Sequence, residues 1–188
     1  IYEKILEFKP DHFLALSNLG IVFSELREFD KAVVLFNKTI KINPEYAEGY
    51  NNLGNALFEL SEFDKSLDCY KRAAKLNPNF SDVFNNLGNV YQKKENLNKA
   101  IESYESAISL DLEKNKDKPY YNLGNIYREL GDYKKSINLY KKAISINPNS
   151  VSAIINLSIS LNKNGNLKEA ISYCEKATKK DPRNVRAL

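Results

Sequence analysis

The 188-residue chain contains no tryptophan, no methionine, one histidine and two cysteines. The cysteines, Cys69 and Cys174, are too few and too widely spaced for a disulfide framework or a cysteine-ligated metal site. No apolar run approaches the ~20 residues that a membrane-spanning helix requires. The 28 basic and 24 acidic side chains leave no large excess of either sign, which excludes a chain built as a basic nucleic-acid-binding arm or an acidic tail.

The chain does have ample apolar material and many asparagines. Apolar residues make up 43% and charged residues 28% of the sequence, which predicts a folded core and excludes a disordered chain. Asparagine occurs 24 times. The sequence begins at Ile1 without a methionine, so we expect it to be a piece of a longer polypeptide. Its two unpaired thiols favour a reducing, cytoplasmic setting.

A period of 34 residues runs through the chain. Asn-Leu-Gly recurs at residues 18, 52, 86 and 122, and Asn-Leu-Ser follows at 156. The spacing is 34 residues except for 36 between the third and fourth copies, where Leu112 replaces an expected proline. We therefore predict a single array of repeats over residues 1–188. It consists of a partial repeat at 1–12, full repeats at 13–46, 47–80, 81–116, 117–150 and 151–184, and the start of a further repeat at 185–188.

Each repeat shows the apolar pattern of two helices. In the third repeat, Phe84, Leu87 and Tyr91 share one helical face, and Ala100 and Tyr104 share another after a polar break. Asn-Pro pairs end the second helix in most repeats, because proline cannot continue a helix. No segment shows the alternation of a half-buried strand. The sequence therefore predicts an all-α fold in which stacked helix pairs bury one another's apolar faces.

The offsets within the period resemble those of the tetratricopeptide repeat (TPR). Leu-Gly, an aromatic residue, small residues in both helices and a final proline recur at fixed positions across essentially the whole chain. The departures are local, with Ser158 in place of glycine and Leu112 in place of proline. The resemblance implies a right-handed α-solenoid, or superhelix, of antiparallel helix pairs. It also implies that the first helices line a concave groove that binds partner peptides.

Asparagines concentrate at the first-helix positions that this resemblance places in the groove. These are positions 2, 5, 6, 9, 12 and 13 of each repeat, and position 6 is asparagine in all five full repeats. A carboxamide offers two N–H donors and an acceptor, so a ladder of carboxamides suits the main chain of an extended peptide. The ladder is similar to that in the repeats of O-linked N-acetylglucosamine transferase. The predicted peptide-binding residues are Asn18, Asn51, Asn52, Asn55, Asn85, Asn86, Asn89, Lys118, Tyr121, Asn122, Asn125, Arg128 and Asn156.

Two other interpretations of these asparagines stay open. In the first, the position-6 amides bond between neighbouring helices and belong to the scaffold. In the second, they form part of the family's carboxylate clamp, which holds a partner's C-terminus in chaperone adaptors. Asn55, Asn86 and Lys118 fit the clamp, but Asn51 and Asn122 stand where it requires cations. The missing charges weaken carboxylate binding, because charge-assisted hydrogen bonds are the stronger ones.

We predict a non-enzymatic protein-interaction scaffold whose partner is a protein or peptide. The single histidine, His12, lies in a predicted turn, and no phosphate loop, dinucleotide fingerprint or HExxH motif occurs. No catalytic residue, metal or cofactor is therefore predicted. The lysines scatter over the second helices, which argues against nucleic acid, and no membrane partner is expected. The alternatives are a structural array that forms homo-oligomers through uncapped terminal repeats, and a regulatory arm of a larger enzyme.

Overall fold

A computed structural model describes residues 2–113 and 115–180. All regular structure in these two ranges is helical, and no strand occurs in them. The helices are α1 (Tyr2–Phe8), α2 (Phe13–Glu25), α3 (Phe29–Ile42), α4 (Ala47–Glu59), α5 (Phe63–Leu76), α6 (Ser81–Lys93), α7 (Leu97–Leu110), α8 (Lys118–Glu129), α9 (Tyr133–Ile146), α10 (Val151–Lys163) and α11 (Leu167–Lys180).

The described residues fall into two compact units, one within residues 1–96 and one within 97–188. Unit 1 holds α1 to α6, and unit 2 holds α7 to α11. Within each unit every helix packs against the next one along the chain. Because the connections are short, these neighbours run antiparallel. The predicted all-α fold of stacked helix pairs is confirmed, whereas the exact division of the chain into repeats stays a prediction.

The first helix of each predicted repeat ends in the same kind of turn. At the end of α4, the Ser61 N–H donates to the Phe58 carbonyl at 2.9 Å and the Glu62 N–H donates to the Leu57 carbonyl at 2.9 Å. These two bonds form a Schellman motif, which needs a left-handed residue just after the helix. Ser61 accordingly has φ 62°. The residues with positive φ at this turn are Arg27, Ser61, Glu95, Gly131 and Gly165.

The connections that follow a second helix depend on the Asn-Pro pairs. The side-chain oxygens of Asn43, Asn77 and Asn147 each accept a hydrogen bond of 3.2–3.3 Å from the backbone N–H two residues further on. This is an asparagine turn, and it explains why asparagine precedes the proline. Where the period is two residues longer, the Asp111 carboxylate instead accepts from the Lys116 N–H at 2.9 Å, across a longer connection.

Close contacts between a glycine and an aromatic ring hold the two helices of a pair together. The pairs are Gly20–Phe36, Gly54–Tyr70 and Gly124–Tyr140. A Cβ atom on any of these glycines would lie 2.6–2.8 Å from a ring carbon, well inside the contact distance. The three rings are almost completely buried. The absence of a Cβ atom thus lets the ring lie across the first helix. In the two pairs with tyrosine, this position brings the hydroxyl to the polar side of that helix.

No helix in the described ranges is both long and apolar enough to cross a membrane. Cys69 and Cys174 are free thiols. Burial, with the neighbouring Asp68, raises the pKa of the Cys69 thiol to about 11, so this thiol is protonated and unreactive at neutral pH. His12 caps α2, its Nδ1 accepting a hydrogen bond from the Ala15 N–H at 3.2 Å.

Candidate functional site

In unit 1, a cluster of carboxamides joins α4 to α6 across their polar sides. The side-chain nitrogen of Asn86 donates to the side-chain oxygens of Asn51 and Asn55, at 3.0 Å each. The Tyr70 hydroxyl, from α5, donates to the same Asn55 oxygen at 2.7 Å. Donors on α5 and α6 therefore fix one carboxamide oxygen of α4, and the position-6 asparagine, Asn86, bonds to its scaffold neighbours.

Unit 2 repeats this cluster with the same sequence spacing. The side-chain nitrogen of Asn156 donates to the Asn125 oxygen at 2.9 Å and to the Tyr121 hydroxyl at 3.2 Å. The Tyr140 hydroxyl donates to the Asn125 oxygen at 2.7 Å. Tyr121 stands where unit 1 has Asn51. We call these groups the unit 1 cluster (Asn51, Asn55, Tyr70, Asn86) and the unit 2 cluster (Tyr121, Asn125, Tyr140, Asn156).

Each cluster uses only one half of its central carboxamide. Both lone pairs of the Asn55 oxygen are taken by Tyr70 and Asn86, so the orientation of this amide is fixed. The nitrogen of Asn55 and the oxygen of Asn86 have no protein partner among the described residues. Asn55 is exposed and Asn86 is half-buried. The unit 1 cluster therefore presents a fixed donor group beside a fixed acceptor group.

The tyrosines that hold these clusters stay neutral. Burial raises the pKa of Tyr70 far above the ordinary value for a phenol, and its bond to Ser66 only partly opposes this. Burial likewise raises the pKa of Tyr140, against the opposing effect of the Arg128 guanidinium. Each hydroxyl is therefore protonated at neutral pH and donates to the neighbouring amide oxygen. Because both hydroxyls donate to the side-chain oxygens of Asn55 and Asn125, the side-chain nitrogens of these two residues are the groups without a partner among the described residues.

A shallow cleft lies on the same side of α2 and α4. It measures about 260 Å³ and is lined by Ile21, Ser24, Glu25, Phe36, Asn52 and Asn55. Apart from Phe36, these residues stand at positions 6, 9, 12 and 13 of the first helices, which the TPR resemblance places in the groove. Two predicted site residues, Asn52 and Asn55, therefore meet in one concave surface.

The other predicted site residues differ in how much of them is accessible. Asn51 and Asn85 are only 8% exposed, so they offer little surface to a ligand. Asn18 and Lys118 are exposed, and the members not yet described are half-buried: Asn52, Asn89, Tyr121, Asn122, Asn125, Arg128 and Asn156. Within the described residues, no group of three or more histidine, cysteine, aspartate or glutamate side chains could hold a metal ion.

The sequence pattern did not indicate that Tyr70 and Tyr140 belong to the two clusters. The apolar pattern assigned both rings to the core, which is correct for the rings but not for their hydroxyls. A signal for them exists in the repeats. Tyrosine follows by 15 residues wherever position 9 is asparagine, as in Asn55–Tyr70 and Asn125–Tyr140, whereas Ile21 is followed at that distance by Phe36.

Models of the tetratricopeptide repeat family match most of the sequence. One, described as a TPR repeat, matches residues 25–61 and 54–95. Two others, both described as tetratricopeptide repeats, match residues 80–149 and 127–188. No curated protein matches the chain significantly.

Several solved structures share the fold. The crystal structure of YrrB, described as a TPR protein with an unusual peptide-binding site, has 19% identity and a TM-score of 0.73, and the match covers 100% of this chain and 95% of that one. MamA has 24% identity and a TM-score of 0.75, over 93% and 94% of the two chains. PilF from Pseudomonas aeruginosa has 20% identity and a TM-score of 0.87, over 99% and 84%. At these identities the likeness shows the fold alone.

TPR arrays present extended concave surfaces and generally act as non-catalytic scaffolds that bind protein or peptide partners. The helix pairs, the recurrent glycine–ring contacts and the matched repeat models agree on one assignment. The chain belongs to the tetratricopeptide repeat family.

Proposed function

We propose that this chain is a non-enzymatic interaction scaffold that binds an extended peptide segment along the polar sides of its first helices. The observation that supports this most strongly is the state of Asn55, which is fixed by two hydrogen bonds and yet exposed, with its amide hydrogens left over. A donor held in this way loses little conformational entropy when it binds a peptide carbonyl. The cleft beside Asn55 supplies a surface for the adjoining residue of the peptide.

The clusters favour recognition of the peptide main chain. In unit 1 the side-chain nitrogen of Asn55 lies next to the side-chain oxygen of Asn86, and in unit 2 the nitrogen of Asn125 lies next to the oxygen of Asn156. Each cluster would thus offer the ligand a donor and an acceptor side by side. A peptide unit offers the complementary pair, a carbonyl and an N–H. Each such bond contributes only about 0.5–1.5 kcal/mol, so binding needs several such bonds at once and tolerates many peptide sequences.

The predicted residues take two roles in this proposal. Asn51 and Asn85, which are buried, support their neighbours. The peptide contacts fall to the accessible members, which are Asn18, Asn52, Asn55, Asn86, Asn89, Lys118, Tyr121, Asn122, Asn125, Arg128 and Asn156.

The sharpest test removes the side-chain NH₂ group of Asn55 and keeps its oxygen. Asn55→Asp keeps the oxygen that accepts from Tyr70 and Asn86 but removes both N–H donors. The probe is a set of short peptides selected from a random display library on the unaltered chain, with affinities measured by fluorescence polarisation. We expect Asn55→Asp to weaken binding at least about tenfold, because a peptide carbonyl would then face a carboxylate.

Asn37→Asp is the matched control, since it adds the same charge to an exposed asparagine on α3. Asn125→Asp and Asn138→Asp form the corresponding pair in unit 2. The proposal fails if the library yields no binder, or if the selected peptides bind the Asn55→Asp and Asn37→Asp variants equally well.

Two exposed apolar positions, on α2 and α11, favour a second candidate function, self-association. Ile171 on α11 is 60% exposed, whereas its counterparts one and three repeats earlier, Ile137 and Leu67, are 7% and 8% exposed. Those counterparts belong to apolar clusters with residues of the following first helix, α10 and α6 respectively. Val22 on α2 is likewise exposed at a position that is fully buried in later repeats. We infer that the α11 face of one copy accepts the α2 face of another.

A further inference from the structure

The cleft between α2 and α4 occupies the place of a carboxamide cluster one repeat earlier, but its side chains differ. Ile21 stands where the unit 1 cluster has Asn55, and Phe36 stands where it has Tyr70. Ile21 is 38% exposed, and the Phe36 ring lies across α2 at Gly20. Neither side chain has an oxygen or nitrogen atom, so no hydroxyl-to-carboxamide bond forms here. The cleft therefore presents an apolar surface where the clusters present a fixed amide.

The carboxamide of Asn52 lacks scaffold partners as a result. Asn52 is the counterpart of Asn86, whose nitrogen donates to two oxygens in the unit 1 cluster. Ile21 offers no acceptor, and the buried Ser17 hydroxyl, at the position of Asn51, makes no hydrogen bond with the described residues. Asn52 is half-buried, and its side chain forms no hydrogen bond within the described ranges. Its whole amide is thus available to a ligand.

A carboxylate lies at the edge of this apolar surface. Glu25 follows Ile21 by four residues on α2, so the two side chains are neighbours on one helix face. Glu25 is exposed and makes no ion pair or hydrogen bond with the described residues. The cleft of about 260 Å³ thus combines an apolar surface, a carboxylate and available amide groups, contributed by Ile21, Phe36, Glu25, Asn52 and Asn55.

A lysine or arginine side chain matches this combination. Each has an apolar stem of three or four carbons that ends in a cation, and such stems pack along apolar surfaces while the charged head remains at the edge. A purely apolar side chain would remove water from Glu25 without supplying an opposite charge, which is costly. A short amine would leave the apolar surface uncovered, and Glu25 would repel an acidic side chain.

The charge around the cleft favours the same class of peptide. The first helices of unit 1 carry four exposed acidic residues and a single exposed basic one, Lys93. The acidic residues are Glu25, Glu48, Glu59 and Asp82. A surface with an excess of one charge attracts ligands of the opposite charge. A peptide that lies along these helices is therefore expected to be basic where it meets unit 1.

We propose that the cleft between α2 and α4 is a pocket for a lysine or arginine side chain of the bound peptide. The main chain of that residue bonds to Asn52 and Asn55, its stem covers Ile21 and Phe36, and its charged head pairs with Glu25. This inference rests on the proposed function and adds a selectivity that main-chain recognition lacks. The competing occupants are an apolar side chain and the free N-terminal amine of a peptide.

The test compares labelled peptide pools that differ only at one central residue. The pools have blocked termini and random uncharged residues elsewhere, and the central residue is lysine, norleucine or 2,4-diaminobutyrate. Norleucine keeps the apolar stem without the ammonium group, whereas diaminobutyrate keeps the ammonium group on a shorter stem. We expect the lysine pool to bind about tenfold more tightly than either of the others in fluorescence polarisation. Its advantage over norleucine should shrink as salt is added.

Variants separate the pocket from the general charge of the surface. Glu25→Gln should remove the preference for lysine over norleucine and leave the affinity for the norleucine pool unchanged. Ile21→Ser should weaken the binding of the lysine and norleucine pools alike. Asp68→Asn removes an exposed carboxylate from α5, which is a second helix, and should leave every affinity unchanged.

A measurement on the unaltered chain does not depend on how the variants fold. The side-chain carboxyl resonance of Glu25 should shift when the lysine pool is added and stay unchanged with the norleucine pool. An unchanged Glu25 resonance with the lysine pool overturns the pocket. Equal binding of the lysine and norleucine pools, or a preference for lysine that survives Glu25→Gln, also overturns it.

Two further outcomes separate the competing explanations. A norleucine pool with an unblocked N-terminus that binds as tightly as the lysine pool would assign the cleft to the terminal amine and overturn the side-chain pocket. All of these outcomes leave the interaction scaffold standing. Absence of binding by every pool overturns both proposals.

Discussion

At the scale of single residues, each first-helix glycine is matched to the ring that crosses it. Gly54 packs against Tyr70 and Gly124 against Tyr140, and these tyrosines orient the amides of Asn55 and Asn125. In the last full repeat both members of the pair change together, since Ser158 replaces the glycine and Cys174 replaces the ring. The side chain at the glycine position thus becomes slightly larger while the side chain at the ring position becomes much smaller. Close packing requires the two volumes to change together.

This matching predicts strong coupling between the two positions. Gly54→Ser should cost about 1–3 kcal/mol of unfolding free energy, because its Cβ would lie 2.6 Å from a carbon of the Tyr70 ring. Tyr70→Cys should also destabilise, through the cavity that it leaves. The double variant should be less destabilised than the sum of the two, as measured by urea unfolding. Simple additivity would show that the pair is not matched.

The buried tyrosines predict a loss of stability at alkaline pH. Their folded pKa values are raised by burial above the unfolded value near 10. The unfolded chain therefore releases protons that the folded chain keeps, and stability falls as the pH rises above about 10. The double variant with Tyr70→Phe and Tyr140→Phe should have a lower free energy of unfolding at neutral pH. The expected loss is about 0.5–1.5 kcal/mol for each lost hydrogen bond.

Comparison across pH checks this prediction. Between about pH 8 and pH 11 the double phenylalanine variant should lose less unfolding free energy than the unaltered chain. The lysines titrate in both proteins and cancel in the comparison. An equal loss in the two proteins would mean that the phenols do not govern the alkaline transition.

The sequence identified the asparagines but not the tyrosines that orient them. Positions 6 and 9 of the first helix follow from the repeat period, so Asn55, Asn86, Asn125 and Asn156 could be assigned to one face. Whether an amide faces a ligand or the scaffold depends on distances between helices, and no pattern along one helix contains that information. In both clusters one half of the central amide bonds to the scaffold, and the other half has no partner among the described residues.

At the scale of elements, the turn after each first helix is the most uniform feature of the chain. All five turns have one residue in the left-handed region, but only Gly131 and Gly165 are glycines. For a residue with a Cβ this conformation costs about 1–2 kcal/mol. Arg27, Ser61 and Glu95 therefore carry strain that the Schellman hydrogen bonds offset.

Replacing the left-handed turn residue by glycine in one unit, and the glycine by serine in the other, tests whether these turns are strained. Ser61→Gly should stabilise the chain by about 0.5–1 kcal/mol, and Gly131→Ser should destabilise it by a similar amount. Both sites are exposed, so packing changes little. Thermal and urea unfolding of the two variants provide the measurement. A change of the same sign in both would contradict the strain explanation.

Helix positions were well predicted because their signals are local. The apolar period places each helix, and Asn-Pro or a polar break ends it. The sequence shows two additional residues between the third and fourth repeats, but it does not predict the Asp111 side-chain bond in that connection. That bond depends on how the chain folds back, which composition alone does not determine.

At the scale of the whole molecule, each compact unit contains one complete cluster and its own apolar core. The exposed faces of α2 and α11 predict that copies associate weakly and end to end. Sedimentation velocity over a concentration series should show this association, and Ile171→Glu should abolish it. Leu112→Glu, at an exposed apolar residue outside α11, should have no effect. A chain that is monomeric at every concentration contradicts self-association.

In the proposed function, the amide nitrogens of Asn55 and Asn125, which have no partner among the described residues, contact a peptide main chain. The most direct measurement is the movement of their side-chain amide resonances when peptides selected from the random library are added. We expect the resonances of Asn55 and Asn125 to shift and those of Asn37 and Asn138, which lie on second helices, to stay unchanged. Bound peptide with unchanged Asn55 and Asn125 resonances would contradict it.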